Sequence, residues 1–93
     1  MDFIYSQPYV KVIRKIDNNQ QLYIQTIEQI HLYKDRIETE PNTFLLHNVF
    51  DMSFKSFSSN SGFLYLHTNQ GVYTYMVETN PSQLIQIFRN MKA

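Results

Sequence analysis

The sequence predicts a mainly β domain: about seven antiparallel strands, as a barrel or sandwich, closed by one C-terminal α-helix over about residues 80–92. Three observations carry this. Short runs of β-branched and aromatic residues recur, separated by Asn-, Asp- or Gly-containing turns. No helix-period segment separates consecutive strands, which excludes βαβ units and a parallel sheet. A capped amphipathic helix stands at the end of the chain: Asn80 is the N-cap, Pro81 the first helical residue and Gln83 the third.

Tyr9–Ile16 opens the strand series. Val10, Val12 and Ile16 fall on one face, and Lys11 and Lys15 on the other, with Ile13 and Arg14 breaking the alternation. Asp17-Asn18-Asn19-Gln20 is a turn, because Asn and Asp tolerate left-handed backbone. Leu22–Ile27 returns as the second strand. Ile30–Tyr33 and Ile37–Glu40 make a second hairpin around Lys34-Asp35-Arg36. A helical turn over Glu28–Lys34 is the alternative, and the absence of any preceding cap favours strand. Thr43–Leu46 follows the Pro41-Asn42 turn. Phe50, Met52 and Phe54 alternate with Asp51, Ser53 and Lys55, the clearest period of two in the chain. Ser56–Gly62 is a polar loop. Phe63–His67 and Val72–Val77 form the last hairpin around Thr68-Asn69-Gln70-Gly71. Leu84, Ile85, Phe88 and Met91 then draw an apolar stripe along the helix.

Ninety-three residues make one domain, spanning 1–93, in which residues 1–8 are a flexible lead-in or a cover for the sheet. There is no cysteine, so the core rests on the seven Phe, the seven Tyr and the aliphatics. Eight basic and eight acidic side chains give zero net charge. A general nucleic-acid binder carries a basic excess, so that class is not expected. No run approaches the ~18–20 apolar residues that span a bilayer. The start, Met1–Ser6, has no basic n-region and no apolar h-region, which points to the cytoplasm.

Seven antiparallel strands and a terminal helix resemble the pleckstrin-homology-like (PH-like) barrel, and in particular its small bacterial single-domain members. The resemblance rests on element order and three local patterns. These are Ile30-x-Leu32 … Asp35-x-Ile37; Phe44-Leu45-Leu46 with Val49-x-x-Met52-x-Phe54; and Leu64-x-Leu66-x-Thr68 … Gly71-x-Tyr73-x-Tyr75-x-Val77 leading into Asn80-Pro81. It implies the fold; none of the three patterns is a catalytic or ligand signature, and the fold carries many functions. The helix lacks the Trp typical of eukaryotic PH domains, and Phe88 fills the equivalent place. The basic motif that reads phosphoinositides there spans the first hairpin; here Leu22-Tyr23-Ile24-Gln25 adds no cation to Lys11, Arg14 and Lys15.

Lys11, Arg14 and Lys15 are the one basic cluster, suited to an anionic lipid or phosphate surface or simply to a solvated strand. His31, His47 and His67 lack metal-ligand spacing. The serines at 56, 58, 59 and 61 lie outside any nucleophile turn. Nothing pairs Asp51 with Glu78 as acid and base. No catalytic residue, metal or cofactor is expected, and the chain is not expected to be an enzyme. With Leu64, Leu66, Tyr73, Tyr75 and Val77 inward, Phe63, Tyr65, Val72 and Met76 turn outward as an apolar patch, unless Phe3, Ile4 and Tyr5 cover it. The expected function is protein interaction or assembly, with a protein partner or a second copy of the chain, at Phe63, Tyr65 and Met76. Alternatives are an anionic-lipid binder using Lys11, Arg14 and Lys15, and a small-ligand carrier with a pocket between helix and barrel.

Overall fold

The computed structural model describes residues 3–93. Strands β1 (Tyr5–Asp17), β2 (Gln20–Leu32), β3 (Arg36–Glu38), β4 (Thr43–Leu45), β5 (Val49–Ser56), β6 (Gly62–Thr68) and β7 (Gly71–Val77) precede helix α1 (Ser82–Lys92). All pairings are antiparallel, in one sheet ordered β4-β3-β2-β1-β7-β6-β5. β1 pairs with β2 throughout but with β7 only at Val10↔Met76. That single link lets the sheet fold on itself. Ile30, Leu32, Ile37 and Phe44 from one half meet Met52, Leu64, Leu66 and Val77 from the other in one buried core. Edge-on ring pairs cross the fold: Tyr9–Tyr75 at 5.1 Å and Phe44–Tyr73 at 4.8 Å.

The first two strands are longer than their sequence pattern predicts. β1 already begins at Tyr5, opposite Leu32, so residues 5–8 are strand and not a flexible lead-in. Met1 and Asp2 lie outside the described residues. Gln7 is 1% exposed, and its amide donates to Thr79 Oγ1 at 2.9 Å, which satisfies the buried group. β2 absorbs Ile30–Leu32, expected as a separate strand. Glu28-Gln29 is polar but contains no turn former, and pairing with Tyr9 and Pro8 keeps it extended.

The period of two in β5 also fails at one position. Phe50 is 62% exposed, whereas Val49 and Met52 are fully buried. The register shifts between Val49 and Asp51, and this bulge turns Phe50 out of the inner face.

At the helix start, Asn80 Oδ1 accepts the Ser82 N–H at 2.9 Å, and the Pro81 carbonyl accepts the Ile85 N–H at 3.0 Å. The helix therefore begins at Ser82, one residue later than expected: Pro81 and not Asn80 stands at the N-cap, and Asn80 reaches the first helical N–H from one residue further out. Leu84, Ile85 and Phe88 close the core. The other end is fastened to the sheet. Arg89 donates to both Asp51 oxygens at 3.1 and 3.4 Å and to the Met52 carbonyl at 3.0 Å; Lys92 donates to the Leu46 carbonyl at 3.1 Å.

The Arg89 guanidinium holds the Asp51 carboxyl below its ordinary value of 3.8. A depressed carboxylate stabilises the fold above its unfolded pKa and loses that contribution as pH falls through the folded one. Asp51→Asn is thus expected to lower the melting temperature slightly at pH 7, the pair being half exposed. The difference should narrow as pH falls below 3.8 and close only once pH has passed below the folded carboxyl's lowered pKa. Thermal melts of both proteins across that range check it; a gap that persists in acid would refute the linkage.

Candidate functional site

The outer face of the last hairpin is built as the alternation predicts. Leu64, Leu66, Tyr75 and Val77 are buried, while Phe63 is 37% and Val72 58% exposed. Tyr65 and Met76 are half-buried. The cover is not the N-terminal segment. Phe57 packs on Phe63 at 5.3 Å, and the ladder continues through Tyr65 to His67, whose Nε2 lies 2.8 Å from Ser53 Oγ. Phe3 instead stacks on His31 of β2 at 4.6 Å. The patch at Phe63, Tyr65 and Met76 therefore exists, partly closed by its own loop.

The predicted basic cluster does not converge. Lys11 and Lys15 project from one face of β1 and Arg14 from the other, since neighbours alternate. Lys11 is also ion-paired with Glu40, and this hydrogen bond raises its pKa. The three histidines sit apart: His31 on β2, His47 in the 3₁₀ turn Leu46–Asn48 and His67 on β6. Asp51 is committed to Arg89. The space between helix and β5 is a surface groove with Ser53, Gln86 and Arg89 on its walls.

A larger feature lies elsewhere. Beyond the Val10↔Ile27 pair, β1 and β2 leave the body as a two-stranded arm. Each strand runs roughly 20 Å at ~3.3 Å per residue, and the molecule measures 51 × 28 × 26 Å. At the tip Asn18 (φ 51°) and Asn19 (φ 63°) make the two-residue turn that suits twisted hairpins. One face of the arm carries Val12, Ile16, Tyr23 and Ile27, exposed by 48–68%; the other carries Ile13, Leu22 and Ile24, exposed by 41–42%.

An isolated two-stranded ribbon with apolar side chains on both faces has no core of its own. Exposed apolar surface on this scale is uncommon on monomeric soluble proteins. Its edges are open too. β7 reaches β1 only at Val10, and β3 reaches β2 only at His31 and Leu32. Where the inner face meets the body, a shallow cleft of about 210 Å³ is lined by Pro8, Val10, Ile27, Glu78 and Thr79.

Sequence periodicity alone misses these residues as a site. The signal was present in the irregularity: Ile13 on the lysine face, and a second strand apolar on both sides.

Fold and surface together define a class: a small mainly β domain with an exposed, apolar two-stranded arm. No family model, curated protein or solved structure matches the chain. Among the described residues no helix is long and apolar enough to cross a membrane.

Proposed function

We propose that the chain is a protein-interaction module whose working element is the β1–β2 arm, and that it assembles with other polypeptide through it. The observation that carries this is the pair of apolar faces on an arm only two strands wide. Strand order and the terminal helix agree with a PH-like module, here one acting in the cytoplasm and without catalysis. The Phe63/Tyr65/Met76 patch is a secondary surface in this reading, because Phe57 already shields it. An anionic lipid or phosphate surface fits less well: Lys11 is held by Glu40, and Arg14 points away from Lys15.

The test is site-specific photo-crosslinking in producing cells. A benzophenone amino acid at position 23, in the middle of the arm, is expected to give a discrete protein adduct. The same group at position 45, an exposed site on β4, is expected to give none. Adducts at 45 equal to those at 23, or none at 23, would refute the proposal. Anionic vesicles that float with the wild-type chain and lose it on Lys15→Glu would refute it in favour of a lipid surface.

A further inference from the structure

Resting on that reading of the arm, we infer that its partner is a second copy of the same chain, joined through the outer edge of β2 in an antiparallel two-fold pairing centred on Gln25. The backbone argument comes first. A two-residue turn makes Asp17 and Gln20 a hydrogen-bonded pair, and every second pair along the arm repeats that bond: Lys15–Leu22, Ile13–Ile24, Lys11–Thr26. The intervening residues of β2, namely Gln21, Tyr23, Gln25, Ile27 and Gln29, aim their N–H and C=O groups at the free edge. No backbone partner meets those groups among the described residues. Such an edge takes another strand.

The two edges of the arm differ in what they invite. β1 presents Lys11, Arg14, Lys15 and Asp17, and charges along an edge discourage pairing. β2 from Gln20 to Ile27 contains no charge, no proline and no glycine. A two-fold contact must use the same edge on both copies, so the uncharged edge is the one that closes.

The register follows from three matches that arise together. Centring on Gln25 sets Tyr23 of one copy opposite Ile27 of the other, an aromatic–β-branched pair of the favoured kind. Ile27 and its neighbour Val10 line the apolar cleft at the base of the arm, so the exposed Tyr23 ring arrives at that cleft. Leu22 falls opposite Glu28, bringing Lys15, which flanks Leu22 on β1, toward Glu28 of the other copy. Neither Lys15 nor Glu28 forms an ion pair among the described residues. In the cleft that Glu28 shares with Glu38 and Glu40, those two carboxylates are already paired with Arg36 and Lys11, which leaves Glu28 to receive that cation.

The chain has no cysteine, which makes the test clean. In the full-length protein, Gln25→Cys is expected to oxidise rapidly to a disulfide-linked dimer, because paired residues on the axis sit about 5.5 Å apart. Val12→Cys, on the same face but one strand further out on each copy, is expected not to crosslink. In sedimentation the wild type should dimerise. Gln25→Lys should weaken dimerisation about tenfold or more, since each substitution enters twice. Lys15→Glu and Glu28→Lys should each weaken it, and the double swap should restore it. Equal crosslinking at 12 and 25, or a dimer indifferent to Gln25→Lys, would overturn the pairing. If position 23 captures only a different polypeptide, self-pairing is wrong while the arm remains an interaction site. If it captures nothing and the wild type stays monomeric, both are wrong.

Discussion

Phe88→Ala is expected to be the most damaging single substitution outside the backbone, lowering stability by about 3–5 kcal/mol. Phe88 is 1% exposed and is the largest fully buried side chain of the molecule. It stands midway along α1, between Leu84 and Met91, and inserts into the core cluster. Truncation removes the transfer free energy of the ring and leaves a cavity that the sheet cannot collapse to fill. Strand β5 beneath it is laddered to β6 along its length, and Arg89 and Lys92 pin the next turn to Asp51, Met52 and Leu46. At about 4–8 °C per kcal/mol for a domain of this size, the melting temperature should fall by roughly 12–40 °C. Phe88→Leu retains most of the volume and should cost less than half as much. Circular dichroism melts of the three proteins decide it: a Phe88→Ala melt within a few degrees of wild type would mean that the helix does not close the core.

Gly62→Ala is expected to destabilise by about 3 kcal/mol, the upper end for overpacking, although it adds one methyl group. Gly62 pairs with Ser56 on one side and Val77 on the other, so three strands meet there. A Cβ at this position would lie 2.7 Å from Phe54 Cε1, 2.8 Å from the Ser56 Cα and closer still to the Lys55 carbonyl oxygen. The Phe54 ring can turn aside, but the two backbone atoms move only if the β5–β6 ladder moves. The double substitution Phe54→Ala with Gly62→Ala should therefore recover little. Gly71→Ala is the informative contrast: nothing lies within 4 Å of its Cβ position, yet its φ of +122° strains any L side chain. Gly62→Ala should lose stability by collision and Gly71→Ala by conformation. Urea melts give both values, and a Gly62→Ala cost below about 0.5 kcal/mol would show that the ladder yields there.

The elements and the hairpins β1–β2, β2–β3 and β6–β7 are legible in the chain because they rest on local chemistry, whereas the β1–β7 link and the separation of β4 from β5 are not. The Asn18-Asn19 turn needs residues that tolerate positive φ, and it has them. The alternation Leu64, Leu66, Tyr75, Val77 reports one buried face, and Asn80-Pro81 reports a helix start one residue early. Where a local rule competes with pairing, the sequence misleads. Glu28-Gln29 looks like a break because both are polar, but their opposite neighbours hold them in β2. Phe50 looks buried by period, and one bulged residue turns it out. The basic cluster looked compact because positions 11, 14 and 15 are close in sequence. Pleating sends Arg14 to the opposite face, and Glu40, distant in sequence, engages Lys11.

The sequence by itself determined a mainly β chain ending in an amphipathic helix, an inward stripe for that helix and an outward patch on the last hairpin. Those follow from period, turn chemistry and capping, which act over a few residues. Only the tertiary structure decided which apolar strand residues have something to pack against. Val10 and Val12 share a face of β1, but Val10 is 6% exposed and Val12 48%. The difference is that β7 meets β1 at Val10 and no strand follows beyond it, so burial ends where the second half of the sheet ends and the arm begins.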